Sequence, residues 1–209
     1  MNNSAKPHIC VVAGSQRQNS QSEKVGRFLQ KLLNQCELAQ TSFVTLAQNP
    51  LPLFDESFFD DEQGIWKEKW EPISQQLSKA DGYFFVVPEW GGMVPAGFKN
   101  LLLLCTKNEL AHKPACLVSV TIGLQGGAYP ISELRMSGYK NTHVCYTPEH
   151  LIIRDSSRVL NGPAPESPQD EAIRARIGYA SRVLVEYAKA FQAIRTSGVL
   201  NYTDYPYGM

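Results

Sequence analysis

A run of hydroxyl, amide and guanidinium side chains lies between a predicted strand and a predicted helix, at residues 14–22. It contains Ser15, Arg17, Ser20, Gln21 and Ser22. Hydroxyls, a guanidinium and the free N–H groups of a helix N-terminus together favour an anion. The run lacks the glycines of a dinucleotide-binding turn and the Gly-Lys pair of a P-loop, so a terminal monophosphate fits it better than either ligand. An ordinary turn with Ser20 as the helix N-cap explains the same residues equally well.

Two further loops are rich in glycine, and each follows an apolar run. Pro88, Glu89, Trp90, Gly91 and Gly92 follow the run 83–87, and Gly123, Gly126 and Gly127 follow a run that includes Ser119. Adjacent glycines let a backbone approach a flat ligand closely, and Trp90 could cover one face of that ligand. A simple turn explains either loop alone. The three loops together indicate a flat, phosphorylated cofactor.

Short apolar runs alternate with longer segments of helical period along the whole chain, which is typical of β-α units on a parallel sheet. The predicted strands are His8–Ala13, Ser42–Ala47, Tyr83–Val87, Ala115–Thr121 and Thr142–Tyr146. Their nearly continuous apolar character indicates a sheet covered by helices on both faces. Ligands of such sheets bind at the carboxyl ends of the strands, where all three loops lie. The sequence therefore predicts an α/β fold with its site at one edge of a five-stranded parallel sheet.

Helix signals and breaker residues divide the rest of the chain. A first helix begins near Ser20, which can form a capping box with Glu23, and a last helix spans about residues 168–195 after an N-cap at Ser167. Trp66, Trp70, Ile73 and Leu77 form a helical stripe interrupted by Pro72 and are predicted to be core. Long loops are predicted at 48–63 and 149–168, as lids, subunit contacts or solvated surface, and the tail 199–209 as a frayed terminus.

Composition excludes several classes of protein. The 209 residues carry 20 basic and 20 acidic side chains, which gives no field to attract nucleic acid or an anionic membrane. No apolar run is long enough for a membrane span or a signal peptide, so we predict a cytoplasmic protein. The five cysteines and four histidines lack the spacing of metal ligands, and the sequence predicts neither disulfides nor a metal site.

The three loops together resemble the NADPH-dependent FMN reductases, a flavodoxin-like family that includes quinone, azo-dye and chromate reductases. The resemblance covers about residues 8–148. The FMN phosphate loop of the family resembles Gly14-Ser15-x-Arg17-x-x-Ser20-x-Ser22. The central signature of the family resembles the stretch from Ala80-Asp81-Gly82 through Pro88-Glu89, with Pro95 and Lys99-Asn100 beyond it. The third loop of the family resembles Ser119 with Gly123, Gly126 and Gly127, followed by Leu134-Arg135. Trp90 and Gly91 stand where the family usually has Tyr-Asn.

The length of 209 residues favours a single domain over residues 1–209. The resemblance implies that this domain is a flavodoxin-like three-layer sandwich that assembles as a homodimer or homotetramer. It implies FMN as cofactor and NADPH, or NADH, as reductant, with a small-molecule acceptor such as a quinone, an azo compound, a free flavin or a metal oxyanion. Loop 14–22 would hold the phosphate and loop 88–92 the ring and ribityl chain. The N–H groups of Gly126 and Gly127 would face the flavin edge that gains negative charge on reduction. No catalytic side chain is required.

Two other classes stay open at this point. A flavodoxin-like electron carrier has the same fold, although its usual acidic recognition surface disagrees with a net charge of zero. A flavin-free scaffold or interaction protein could keep the fold and lose the cofactor, since fold alone does not determine function. The scaffold predicts a colourless, inactive protein.

Overall fold

Five parallel strands in the order β2-β1-β3-β4-β5 form the centre of the molecule. The computed structural model describes residues 6–48 and 50–208. The strands are β1 His8–Ala13, β2 Gln40–Thr45, β3 Gly82–Pro88, β4 Pro114–Val120 and β5 Cys145–Ile153. With helices on both faces, this sheet confirms the predicted flavodoxin-like α/β architecture.

Eight α-helices and one 3₁₀ turn accompany the sheet in the described residues. The helices are α1 Gln21–Gln35, α2 Ile65–Lys69, α3 Glu71–Lys79, α4 Ala96–Leu104, α5 Lys107–Leu110, α6 Ala128–Arg135, α7 Tyr139–Thr142 and α8 Pro168–Thr196, and the 3₁₀ turn is Glu56–Phe58. None of these helices is both long and apolar enough to cross a membrane.

The side chains of each central strand alternate between two apolar layers. From β1, Cys10 and Val12 pack in the layer that contains α3 and α4, while Ile9 and Val11 pack in the layer that contains α1 and α8. All four are fully buried. Burial of one such side chain contributes about 1.5–3 kcal/mol, and the two layers together hold the strand ends in fixed positions.

The two helices predicted from capping signals begin where expected. Ser20 Oγ accepts a hydrogen bond from the Glu23 N–H at 3.1 Å, and Ser167 Oγ accepts one from the Asp170 N–H at 3.1 Å. The apolar stripe predicted for α1 packs on the sheet, with Val25, Leu29 and Leu33 buried and Phe28 and Leu32 partly buried. Local sequence therefore determines both helix starts.

The prediction for the fifth strand is wrong in position. Thr142 ends α7, and β5 extends to Ile153, so residues 149–153 belong to the sheet and only 154–167 lack regular structure. A register shift opposite Ala115–Leu117 interrupts the pairing, and Pro148 lies within the strand. Bulges and prolines are tolerated on an edge strand. Here they interrupt the apolar run, and a prediction based on continuous apolar runs therefore misses most of this strand.

Smaller differences concern β2, the tryptophan stripe and one loop. The second strand is Gln40–Thr45 instead of 42–47, because residues 46–48 already turn away from the sheet. The stripe is buried as predicted, but it is divided between α2 and α3, with Pro72 in the first turn of α3. The predicted loop 48–63 contains the 3₁₀ turn, and Asn49 within it lies outside the described residues.

The C-terminal tail is held to the protein by contacts at Tyr202, Pro206 and Gly208, contrary to the prediction of a frayed end, while most of its side chains are exposed. Met209 lies outside the described residues. The Tyr202 ring lies 5.5 Å from the His143 ring and 6.2 Å from the His112 ring, between centroids. The Gly208 N–H donates to the Lys140 carbonyl at 2.7 Å. These contacts place the tail beside the residues that precede β4 and β5, at the edge of the sheet opposite the carboxyl ends of the strands.

Candidate cofactor site

The strand order reverses between β1 and β3, and the chain leaves both strands at the same edge. We call residues 14–22 loop 1, residues 88–92 loop 2 and residues 121–127 loop 3. The Gly14 N–H donates to the Val86 carbonyl at 2.8 Å, and the Glu89 N–H donates to the Val120 carbonyl at 3.0 Å. These bonds join the three loops around the crevice where ligands of open α/β sheets bind.

A cavity of about 310 Å³ opens between these loops. It is lined by Ser15, Arg17, Gln18, Asn19, Ser20, Gln21, Ser22, Pro88, Glu89, Trp90, Val120, Thr121, Ile122, Gly123 and Ser156. Nine of the fourteen predicted site residues are therefore in its walls. The cavity wall does not include the other five, which are Gly91, Gly92, Ser119, Gly126 and Gly127.

Loop 1 contributes a buried hydroxyl and an exposed cation. Ser15 is 1% exposed, and its Oγ accepts a hydrogen bond from the Arg17 N–H at 3.2 Å. The Arg17 guanidinium is exposed and lies 6.0 Å from the centre of the Trp90 ring, across the cavity mouth. The nearby Glu23 carboxylate pairs with Arg27 of the same helix at 3.3 Å.

The first turn of α1 carries polar atoms that have no protein partner. Ser22 is fully buried, and its Oγ has no hydrogen-bond partner among the described residues. The same is true of the buried Gln21 Oε1. A buried polar atom left unpaired costs about 1–3 kcal/mol, so such atoms are uncommon unless water, an ion or a ligand satisfies them. Ser20 differs, because it is engaged as the N-cap.

Loop 2 and loop 3 are joined by a carboxylate. Glu89 Oε2 accepts a hydrogen bond from the Gly127 N–H at 2.6 Å, and the Arg154 Nε donates to the Gly126 carbonyl at 2.8 Å. A Cβ at Gly126 would lie 2.2 Å from that same Oε2. The N–H of Gly127 is thus bound to Glu89 and does not face an acceptor in the cavity, which corrects the sequence prediction for that group.

Other predicted residues shape the loops without lining the cavity. Gly91 and Gly92 have φ of +59° and +73° and form the turn of a short bridge between Trp90 and Met93. Gly127, with φ of +100°, precedes α6, where a Cβ would lie 2.3 Å from Ile152 Cγ2. Ser119 is fully buried in β4, and its Oγ has no partner among the described residues. We assign the three glycines to backbone geometry, and Ser119 differs from Ser22 and Ser156 because it does not line the cavity.

Sequence reasoning missed one residue of the cavity wall that comes from a distant part of the chain. Ser156 follows β5, is fully buried, and donates its backbone N–H to the Thr121 carbonyl at 3.2 Å. A correct end for the fifth strand would have indicated it, because residues directly after parallel strands lie at the ligand edge. Within residues 6–48 and 50–208, no group of His, Cys, Asp and Glu side chains is placed to hold a metal ion.

Comparison with known proteins identifies the family of this chain. A family model described as NADPH-dependent FMN reductase matches residues 7–157, which include all three loops and β5. The chain belongs to this family. Membership makes the chain an oxidoreductase of a family whose cofactors are FMN and NAD(P)H.

Individual relatives are distant. A 2-hydroxy-1,4-benzoquinone reductase from Burkholderia sp. is 28% identical to this protein over 72% of the chain and 81% of the relative. A quinone reductase from Pseudomonas putida is 31% identical over 57% of the chain and 62% of the relative, a little under two thirds of its length. FerB, a flavoenzyme NAD(P)H:(acceptor) oxidoreductase from Paracoccus denitrificans, shares the fold, with a TM-score of 0.68 and 21% identity over 88% of this chain and 98% of its own.

Proposed function

We propose that this protein binds FMN in the cavity between loops 1, 2 and 3 and uses NADPH to reduce small flat acceptors, quinones first among them. One observation carries the placement. The Ser22 hydroxyl is buried and unpartnered at the first turn of a 15-residue helix, directly beside the cavity. A phosphate at this turn would accept a hydrogen bond from that hydroxyl, so the residues present fit the family's cofactor.

The phosphate end of the proposed site is loop 1. The first N–H groups of a helix lack intrahelical partners, and the helix dipole favours negative charge at its N-terminus. Ser15 and Ser22 add hydroxyls near this turn, and Arg17 adds a positive charge at the cavity mouth. Hydrogen bonds to a charged phosphate are about twice as strong as neutral ones.

The ring end of the proposed site lies between loops 2 and 3. Trp90 forms one wall, and Ile122 and Gly123 form another. FMN, when bound here, would supply the redox chemistry, namely hydride uptake from a nicotinamide and delivery of two electrons to the acceptor. The side chains of this protein position the ring and phosphate, and no side chain is assigned a catalytic role. Trp90 provides aromatic surface in place of the usual tyrosine, whereas Gly91 offers no amide side chain.

The relatives suggest the class of acceptor. The Burkholderia and Pseudomonas proteins are named for reduction of quinones, and a quinone is flat enough to stack on a flavin ring. Azo compounds, free flavins and metal oxyanions remain alternative acceptors. We also retain, as proposals, a single FMN-binding domain over residues 1–209, a homodimer or homotetramer, and a cytoplasmic location.

The first experiment is the absorbance spectrum of the purified protein, alone and after incubation with FMN and desalting. We expect flavin bands that bleach when NADPH is added without oxygen and return when 1,4-benzoquinone follows. Flavin bands that NADPH leaves unchanged would favour an electron carrier reduced by another protein. A colourless protein that retains no FMN would refute the proposal and favour a scaffold.

The position of the phosphate is tested by Ser22→Ala. Riboflavin lacks the phosphate, so titration of both ligands separates a phosphate contact from a general defect of the site. We expect FMN affinity to fall about tenfold and riboflavin affinity to stay unchanged. Equal loss for both ligands, or no loss for either, would place the phosphate elsewhere.

A further inference from the structure

Lys24, near the start of α1, forms hydrogen bonds to the segment that follows β5, residues 154–167. Its Nζ donates to the carbonyl oxygens of Ser156 and Val159 at 2.5 and 2.9 Å, and to Asn161 Oδ1 at 2.7 Å. These partners are 132–137 residues away in sequence. Three acceptors satisfy all three protons of an ammonium group. Lys24 is therefore held in one position and holds the segment in turn.

The far end of the same segment is fixed on α8. Asp170 is fully buried, and its carboxylate accepts from the backbone N–H groups of Leu160 and Glu166 at 2.9 and 3.1 Å. Arg174 pairs with Asp170 at 3.1 Å and donates to the Gly162 carbonyl at 2.8 Å. Residues 156–167 have an irregular backbone, but hydrogen bonds fix the segment at both ends. A segment that positions a residue in a binding site has to be rigid in this way.

This attachment holds Ser156 in the cavity wall. The Ser156 side chain is fully buried, and its Oγ, like that of Ser22, has no hydrogen-bond partner among the described residues. Ser22 and Lys24 lie two residues apart on α1, and Lys24 donates to the Ser156 carbonyl, so Ser156 is connected to the helix that carries Ser22. Both serines line the cavity. Two such hydroxyls from separate parts of the chain indicate a ligand group that bonds to both.

We propose that Ser156 donates its hydroxyl to the FMN phosphate, and that Lys24 is the positioning residue that holds Ser156 in place. This inference rests on the proposed function. It extends the phosphate site from loop 1 to the segment after β5, which gives that segment a role in binding. The site is then closed by two regions far apart in sequence.

The test compares FMN and riboflavin binding in Ser156→Ala, with Ser157→Ala as the matched control. Ser157 is the adjacent serine, exposed to solvent and absent from the cavity wall. Fluorescence titration should show about tenfold weaker FMN binding for Ser156→Ala, unchanged riboflavin binding, and no change in either for Ser157→Ala. Unchanged FMN binding in Ser156→Ala, or equal losses for the two ligands, would overturn the inference.

The role of Lys24 is tested by a double-mutant cycle on FMN affinity. Lys24→Met should weaken FMN binding as much as Ser156→Ala does, and the double variant should be no weaker than either by more than about twofold. Lys24→Arg keeps a cation with several donors and should recover part of the affinity. Fully additive losses would mean that Lys24 does not act through Ser156. Circular dichroism and thermal unfolding of each variant establish that it is folded.

The outcomes separate this inference from the function on which it rests. If Ser22→Ala lowers FMN affinity and Ser156→Ala does not, the phosphate site stands and the role of Ser156 is refuted. If the parent protein binds neither FMN nor riboflavin, both proposals fall together.

Discussion

Glu89 Oε2 accepts a hydrogen bond from the Gly127 N–H at 2.6 Å and so connects two loops that are 38 residues apart. The other oxygen, Oε1, is buried without a partner among the described residues. The bond is charge-assisted, and Arg154 holds the same loop from its other side. Loop 3 therefore has its backbone fixed before any ligand arrives.

Replacing Glu89 by glutamine should loosen this connection. The substitution keeps the shape of the side chain and removes its charge, which weakens the bond to Gly127. We expect the free energy of unfolding, measured in urea, to fall by about 1–2 kcal/mol. FMN affinity should fall several-fold because loop 3 moves. Glu62→Gln removes an exposed acid of loop 48–63 and should change neither quantity. Glu89→Gln with both values at the parent level would show that the connection is unimportant.

Gly126 should tolerate a methyl group much less well than Gly123. At Gly126 the added Cβ would lie 2.2 Å from Glu89 Oε2, whereas at Gly123 its nearest neighbour is Thr121 Oγ1 at 3.6 Å. Gly126→Ala should displace the carboxylate and lower the free energy of unfolding by about 1 kcal/mol or more, and Gly123→Ala by less than about 0.5 kcal/mol. Chemical denaturation measures both. Similar losses for the two variants would contradict the assigned position of Glu89.

Asp170 should make stability depend on pH in the acid range. Burial by itself raises the pKa of this carboxyl, but the hydrogen bonds from Arg174 and from the N–H groups of Leu160 and Glu166 outweigh it and lower the pKa below the ordinary 3.8. The folded state therefore binds the proton less readily than the unfolded state. The stabilisation is complete above pH 3.8 and is lost as the pH falls through the lowered pKa.

The matched measurement compares the parent protein with Asp170→Asn. At pH 6 the free energy of unfolding of the variant should be about 2 kcal/mol lower than that of the parent, since two backbone N–H groups and Arg174 lose their ionised partner. As the pH falls below 3.8 the gap should narrow, because the unfolded parent protein takes up a proton at Asp170 more readily than the folded one does. A gap that stays constant over this range would show that Asp170 does not carry the effect.

The packed tail should stabilise the fold without affecting the cofactor site. Tyr202→Ala removes the ring that contacts His112 and His143, at the edge of the sheet away from the cavity. We expect Tyr202→Ala to lower the free energy of unfolding by about 1 kcal/mol, which corresponds to a fall of roughly 2–4 °C in Tm for a protein of this size. FMN affinity should not change. Tyr205→Ala is the control, because that side chain is 72% exposed. An unchanged Tm for Tyr202→Ala would mean that the tail contributes nothing.

Local features of the chain were readable from its sequence. The apolar runs of four strands, the caps at Ser20 and Ser167 and the stripe of α1 all depend on residues within one element, and the structure has them where the sequence predicted them or within a few residues. Loop 1 was recognisable for the same reason. Its hydroxyls are adjacent in sequence and lie at a helix start whose position the cap determines.

The sequence by itself thus determined the fold class, the family resemblance and the edge of the sheet where the site lies. Only the tertiary structure decided which distant groups meet there, as Glu89 does with Gly127 and Lys24 with Ser156. Such pairs depend on strand order and on the register of an edge strand interrupted by a bulge and Pro148. Neither leaves a periodic signal in the sequence, because both result from packing between elements and not from the preferences of any one of them.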